Sequence, residues 1–156
     1  MDLHSQDINS FTDFQNYDNS TTLKLISYIH DDYDCGEWGG HVEKIVIYKF
    51  KDALTIIYSR EKTNCPKELA GEKKLPSAIR TNWTDTLRIT DWQVVKEYLI
   101  GLSKHKPAPD IISNASNSYE VQFTKDYFTS SFKVDDRDNS WKKYYEFRDY
   151  FVNKQH

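Results

Sequence analysis

Two cysteines, five glycines, four prolines and one methionine in 156 residues exclude several specialised architectures at once. Two cysteines are too few for a disulfide-dense scaffold, so Cys35 and Cys65 read as free thiols. The sparse glycines and prolines form no linker, and no repeat or low-complexity tract divides the chain. No apolar run approaches the roughly 18 residues of a membrane helix. The opening "MDLHSQDINSF" has neither the basic head nor the apolar stretch of a secretory leader. The expectation is a cytoplasmic protein with no membrane partner. At this length one hydrophobic core suffices, so a single domain is expected over 1–156, with 1–9 and 154–156 fraying.

What is abundant is aromatic and charged: aromatics make up 15% of the chain and charged residues 29%. A core rich in Tyr, Phe and Trp follows, with too much apolar material for disorder. The net charge of −3 hides an asymmetry. Residues 1–43 carry nine acids (Asp2, Asp7, Asp13, Asp18, Asp31, Asp32, Asp34, Glu37, Glu43) against Lys24 alone, a net of −8, and the remainder carries +5. An acidic first third suits a cationic partner and repels nucleic acid.

The pattern of elements predicts an α+β fold. Ser10 can cap a short helix holding Phe11, Asp13 and Phe14. "TLKLISYIH" alternates with apolar residues on both faces, as a strand does. "HVEKIVIYKF" and "ALTIIYSRE" are β-rich runs separated only by Lys51 and Asp52, which predicts an antiparallel hairpin. Residues 61–84, with Pro66, Gly71 and Pro76, read as a long surface excursion. "DTLRIT" then reads as a short strand, followed by a helix with a Thr90/Gln93 capping box. That helix has Trp92, Val95, Leu99 and Leu102 on one face, basic residues at its end and Pro107 as its stop. "SYEVQFTK" and "YFTSSFKV" are two further strands, and a closing helix over "NSWKKYYEFRDYFVNKQ" carries Trp141, Tyr144, Tyr145, Phe147, Phe151 and Val152 as an aromatic face. Five or six mostly antiparallel strands covered by helices on one face are therefore expected.

The stretch "DDYDCGEWGGHVEKIVIY" concentrates acids, glycines, Cys35, Trp38 and His41 ahead of a strand. Asp32, Asp34 and Glu43 fit the first, third and twelfth positions of a calcium loop. Gly36 and Glu37, however, occupy its fifth and sixth positions, where a ligand and the turn glycine belong. "GEWGG" matches no phosphate-binding pattern, and the surrounding acids would repel a phosphate. Cys35, Glu37, His41 and Glu43 form a possible zinc set, with His41 and Glu43 on one side of a strand, although no CxxC or HxxxH spacing supports it. Acids beside Cys35 raise its thiol pKa, the wrong direction for a nucleophile. The reading preferred is a non-enzyme without a cofactor, and the alternative is a zinc module or metal-dependent enzyme on those four residues.

In its "CGEWGGHVEKIVIY" string, size, acidic segment and aromatic α+β pattern, the chain resembles the small bacterial immunity proteins of secreted polymorphic or contact-dependent toxin systems. The resemblance implies a cytoplasmic inhibitor that binds one cognate toxin and blocks its active site or substrate groove. Asp31, Asp32, Asp34, Glu37 and Glu43 would steer toward a basic toxin surface, His41 would lie at the same face, and Trp38 would be the central anchor.

Overall fold

The computed structural model describes residues 13, 17–30, 40–62, 82–105 and 116–154. Six strands and two helices follow one another as β1 (Thr22–Ile29), β2 (His41–Phe50), β3 (Ala53–Lys62), β4 (Asn82–Leu87), α1 (Ile89–Lys104), β5 (Asn117–Lys125), β6 (Phe128–Asp136) and α2 (Lys143–Asn153). The strands form one sheet in the order β4-β3-β2-β1-β5-β6, and every neighbouring pair is antiparallel. This is the expected α+β architecture. The first four strands meander outward from β1, then α1 returns the chain to the opposite side of β1, where β5 and β6 complete the sheet.

Side-chain alternation decides which face is covered. Leu23 and Leu25 on β1, Ile45 and Ile47 on β2, Leu54, Ile56 and Tyr58 on β3, and Tyr119, Val121 and Phe123 on β5 point to the same side and are buried. Both helices pack there. Trp92, Val95, Leu99 and Leu102 of α1 are buried as the helical spacing predicted, and Tyr144, Phe147 and Phe151 of α2 join them. The rings interlock: Tyr58 stacks on Trp83 at 5.4 Å, Tyr98 stacks on Phe147 at 4.3 Å, and Tyr119 meets Trp141 edge-on at 4.8 Å. Apolar residues also lie on the opposite face of β1, where Ile26 is buried and Tyr28 partly exposed.

The β2–β3 hairpin turns at Lys51 and Asp52 as expected, with Lys51 at φ 56°. The β5–β6 turn places both Asp126 and Tyr127 at positive φ, 49° and 72°, which is the twist a two-residue hairpin requires. Both tight turns sit at one end of the sheet. The connections from β1 to β2, β3 to β4 and α1 to β5 all leave from the other end.

Four expectations are corrected. The strand placed at "DTLRIT" lies earlier, at Asn82–Leu87, because Trp83 and Leu87 are the residues that face the core opposite Tyr58 and Leu54. Residues 61–62, in β3, and 82–84, in β4, therefore belong to the sheet and not to the surface excursion. The α1 cap is Arg88 with Asp91, not Thr90 with Gln93: the helix starts earlier, and Asp91 Oδ2 accepts the Arg88 backbone N–H at 2.9 Å. Lys154 is not frayed, since its side chain is largely buried and its ammonium donates to Asp91 Oδ1. The expected helix around Phe11 and Phe14, residues 63–81 of the excursion, both cysteines, and 1–9 and 155–156 lie outside the described residues.

Candidate functional site

His41 and Glu43 begin β2, in the same alternation as Ile45 and Ile47, so both point beneath the helices instead of into solvent. Glu43 pairs in register with Ser27 of β1 and Arg60 of β3, which places it mid-sheet at the end where the long connections emerge. Its exposure is 0%, which removes it from any acidic surface. Expected to steer a partner, Glu43 is an interior charge. His41 is buried beside it.

The buried carboxylate is enclosed by donors. His41 Nε2 lies 2.7 Å from Glu43 Oε1, Arg148 Nη1 donates to the same oxygen at 3.2 Å, and the Tyr144 hydroxyl donates to Oε2. Arg60 Nη2 stands 3.1 Å from His41 Nδ1. A guanidinium only donates, so Nδ1 is the accepting nitrogen and Nε2 carries the proton given to Glu43. Burial pushes the Glu43 carboxyl up, but the hydrogen bonds from His41 and Tyr144 and the Arg148 charge outweigh it and hold it below its usual range. Burial, with the Glu43 charge beside it, drives the Tyr144 phenol well above its ordinary value.

This closure bears on the metal alternative. His41 has both ring nitrogens engaged, and both Glu43 oxygens accept hydrogen bonds. A zinc ligand needs a free lone pair, and His41 offers none beyond those already engaged, while Glu43 keeps one on Oε2. Among the described residues no group of three or more His, Cys, Asp or Glu side chains could hold a metal ion. Cys35 and Glu37, the other two members of the zinc set, lie outside the described residues.

Asp31, Asp32, Asp34, Glu37 and Trp38 also lie outside the described residues, but the stems of their connection are fixed. Ile29 is paired with His41, and the His30 N–H is held by Asn117 Oδ1 at 2.8 Å. Gly40 has φ 146°, and a Cβ placed on it would lie 2.1 Å from the Ile29 carbonyl oxygen. Only glycine allows the chain to enter β2 this close to the end of β1. Asn117 itself is positioned by Asn139, whose side chain accepts the Asn117 N–H at 2.7 Å.

A second polar cluster joins the helices. Asp91 in the first turn of α1 is buried and accepts from Tyr150 at 2.8 Å and from Lys154, both at the C-terminal end of the chain. Burial raises the Asp91 carboxyl, but the Lys154 and Tyr150 donors and the Arg88 backbone N–H bring it down to about 2.

Arg60, Tyr144 and Arg148 are the cluster members that motif reading passes over. The sequence does contain their signal: Arg148 follows Tyr144 by four residues and so shares its helical face, where a cation is anomalous unless a buried acid faces it. No family model, curated protein or solved structure matches this chain.

Proposed function

We propose that this is a protein-binding inhibitor of the immunity type, which neutralises a cognate toxin by covering its active site or substrate groove. The observation that carries the reading is the anchoring of the connection between Ile29 and His41. Its two stems are locked by strand pairing, the Asn117 side chain and a glycine that admits no Cβ. The nine residues between His30 and Gly40 contain four acids and Trp38. A rigid base lowers the ordering cost of binding for whatever its loop presents. Acids there would accelerate encounter with a basic cleft, and Trp38 would supply the anchor. The inward-facing His41 and Glu43 take no part in this face, because they are buried and matched within the fold.

The test starts from the gene beside this chain: a toxin domain encoded there should be neutralised by it. Cells expressing both should survive, and the purified pair should form a stable complex. Trp38→Ala or the charge reversals Asp32→Lys and Asp34→Lys should weaken that complex by about tenfold or more. A complex of unchanged affinity in all three variants means that the binding face lies elsewhere. Failure of the wild-type chain to bind or protect removes the inhibitor reading.

A further inference from the structure

We propose that two copies of this chain join through the free edge of β6, antiparallel about a two-fold axis at Val134, to make one continuous sheet. Among the described residues no strand pairs beyond β6. The strand is regular over nine residues, with unbroken register against β5 from Asn117↔Asp136 to Lys125↔Phe128. Its sequence FTSSFKVDD has no proline, no glycine and no bulge. Proteins commonly blunt a long edge with such interruptions or with charged side chains; β6 has no interruption, and its exposed charges, Lys133 and Asp135, are of opposite sign, so a strand of matching charge can satisfy both. The opposite edge, β4, has only six residues.

The backbone alternation shows which residues would pair. A two-residue turn makes Lys125 and Phe128 the closing hydrogen-bonded pair of the hairpin. Counting from there, Thr129, Ser131, Lys133 and Asp135 direct their N–H and C=O groups to the free edge. Lys133 and Asp135 lie on the open face of the sheet and are 54% and 55% exposed at their side chains, 3.8 Å apart. An antiparallel copy centred on Val134 sets each Lys133 opposite the other copy's Asp135, twice, in hydrogen-bonded pairs. Centring on Lys133 or on Asp135 would instead oppose like charges, and centring on Phe132 would bring the two lysines onto a short diagonal. Charge therefore selects both the occupant and the register: a foreign strand carrying one sign would satisfy one residue and oppose the other.

The helix side of the same edge fits this occupant. A cleft of about 310 Å³ lies beside the strand, bordered by Ser103, His105, Phe132, Val134 and Arg137. Phe132 and Val134 are only partly buried against the core. The axis would bring the two Val134 side chains together and lay each Phe132 diagonally against the other copy's Val134. This inference is independent of the toxin-binding face, which lies on the β1–β2 connection two strands away.

Sedimentation equilibrium of the full chain over a range of concentrations tests it. The wild-type protein should populate a dimer, and Lys133→Asp or Asp135→Lys alone should weaken it by about tenfold or more through two opposed pairs. The double variant Lys133→Asp/Asp135→Lys should restore the dimer. Mixing the two single variants should give a heterodimer tighter than either homodimer, because one then carries acids at both positions and the other lysines. Both positions are exposed, and unchanged circular dichroism would confirm that the variants fold. A wild-type chain that stays monomeric to millimolar concentration overturns the proposal, as do single variants that dimerise like wild type.

Discussion

The Arg148 guanidinium donates to Glu43 Oε1 at 3.2 Å, an ion pair that joins the C-terminal helix to the second strand across 105 residues of sequence. Glu43 is fully buried and has no bulk water to fall back on, whereas Arg148 is 12% exposed. Replacing Glu43 by Leu removes the buried acceptor shared by His41, Tyr144 and Arg148, leaving Arg148 only its exposed neighbour Asp149 at 2.9 Å, and should destabilise the fold by about 3–5 kcal/mol. Adding Arg148→Met should recover part of that loss, since an apolar pair of similar volume needs no compensation. Urea unfolding of Glu43→Leu, Arg148→Met and the double variant measures the coupling, and a double variant as unstable as the sum of the two singles would contradict the pairing.

Gly40 offers a test of backbone geometry alone. Gly40→Ala adds a methyl group that would meet the Ile29 carbonyl oxygen at 2.1 Å, at φ 146°. The expected loss is about 2–3 kcal/mol, seen as a lower urea midpoint. Elsewhere on the chain, Gly101→Ala would meet only the flexible end of the Lys143 side chain at 3.2 Å. That variant should be near neutral or slightly stabilising in its helix.

The acid response follows from Asp91. Its carboxyl titrates at about 2 in the folded protein, below its ordinary 3.8. A carboxyl depressed on folding stabilises fully above its unfolded value and loses that stabilisation as pH falls through its folded value. The depressed Glu43 carboxyl acts in the same sense. Stability should therefore decline as pH is lowered from about 4 to about 2. Asp91→Asn should lose stability at neutral pH and show a shallower decline, measured as urea midpoints across that window.

The helices should respond to their shared ring contact. Phe147 stacks on Tyr98 at 4.3 Å and is buried. Phe147→Ala should cost about 3–5 kcal/mol, while Phe147→Leu should cost markedly less because most of the volume remains. Equal losses in the two variants would mean that the site collapses around either one.

Much of the fold was legible because two signals agreed. The apolar alternation on either side of Lys51 and Asp52 fixed the β2–β3 hairpin, and the period of Trp92, Val95, Leu99 and Leu102 fixed the face of α1. Where signals competed, local propensity misled. Ile89 and Thr90 suit a strand, yet Asp91 accepts the Arg88 N–H and starts a helix there, leaving Ile89 78% exposed. Glu43 shows the same conflict in the site. An acid in an acidic stretch reads as surface, but its two-residue spacing from Ile45 places it inside, and the arginine that makes this tolerable lies far away in sequence. Pairings of that kind are set by tertiary structure, so the local string around Glu43 could not reveal them.

The position of β1 at the middle of the sheet has a consequence for synthesis. Among the described elements β1 is made first, but its second neighbour, β5, is translated only after β2, β3, β4 and α1. A nascent chain that has reached Leu87 can hold the β1–β4 meander while one edge of β1 stays open and neither helix covers Leu23, Leu25 or Ile45. The ribosome-bound protein should then pass through a stage with a central strand paired on one side only and an apolar face not yet covered by α1 and α2, the condition under which chains associate wrongly or recruit chaperones. Slowing translation between α1 and β5 should lengthen that stage and lower the soluble yield.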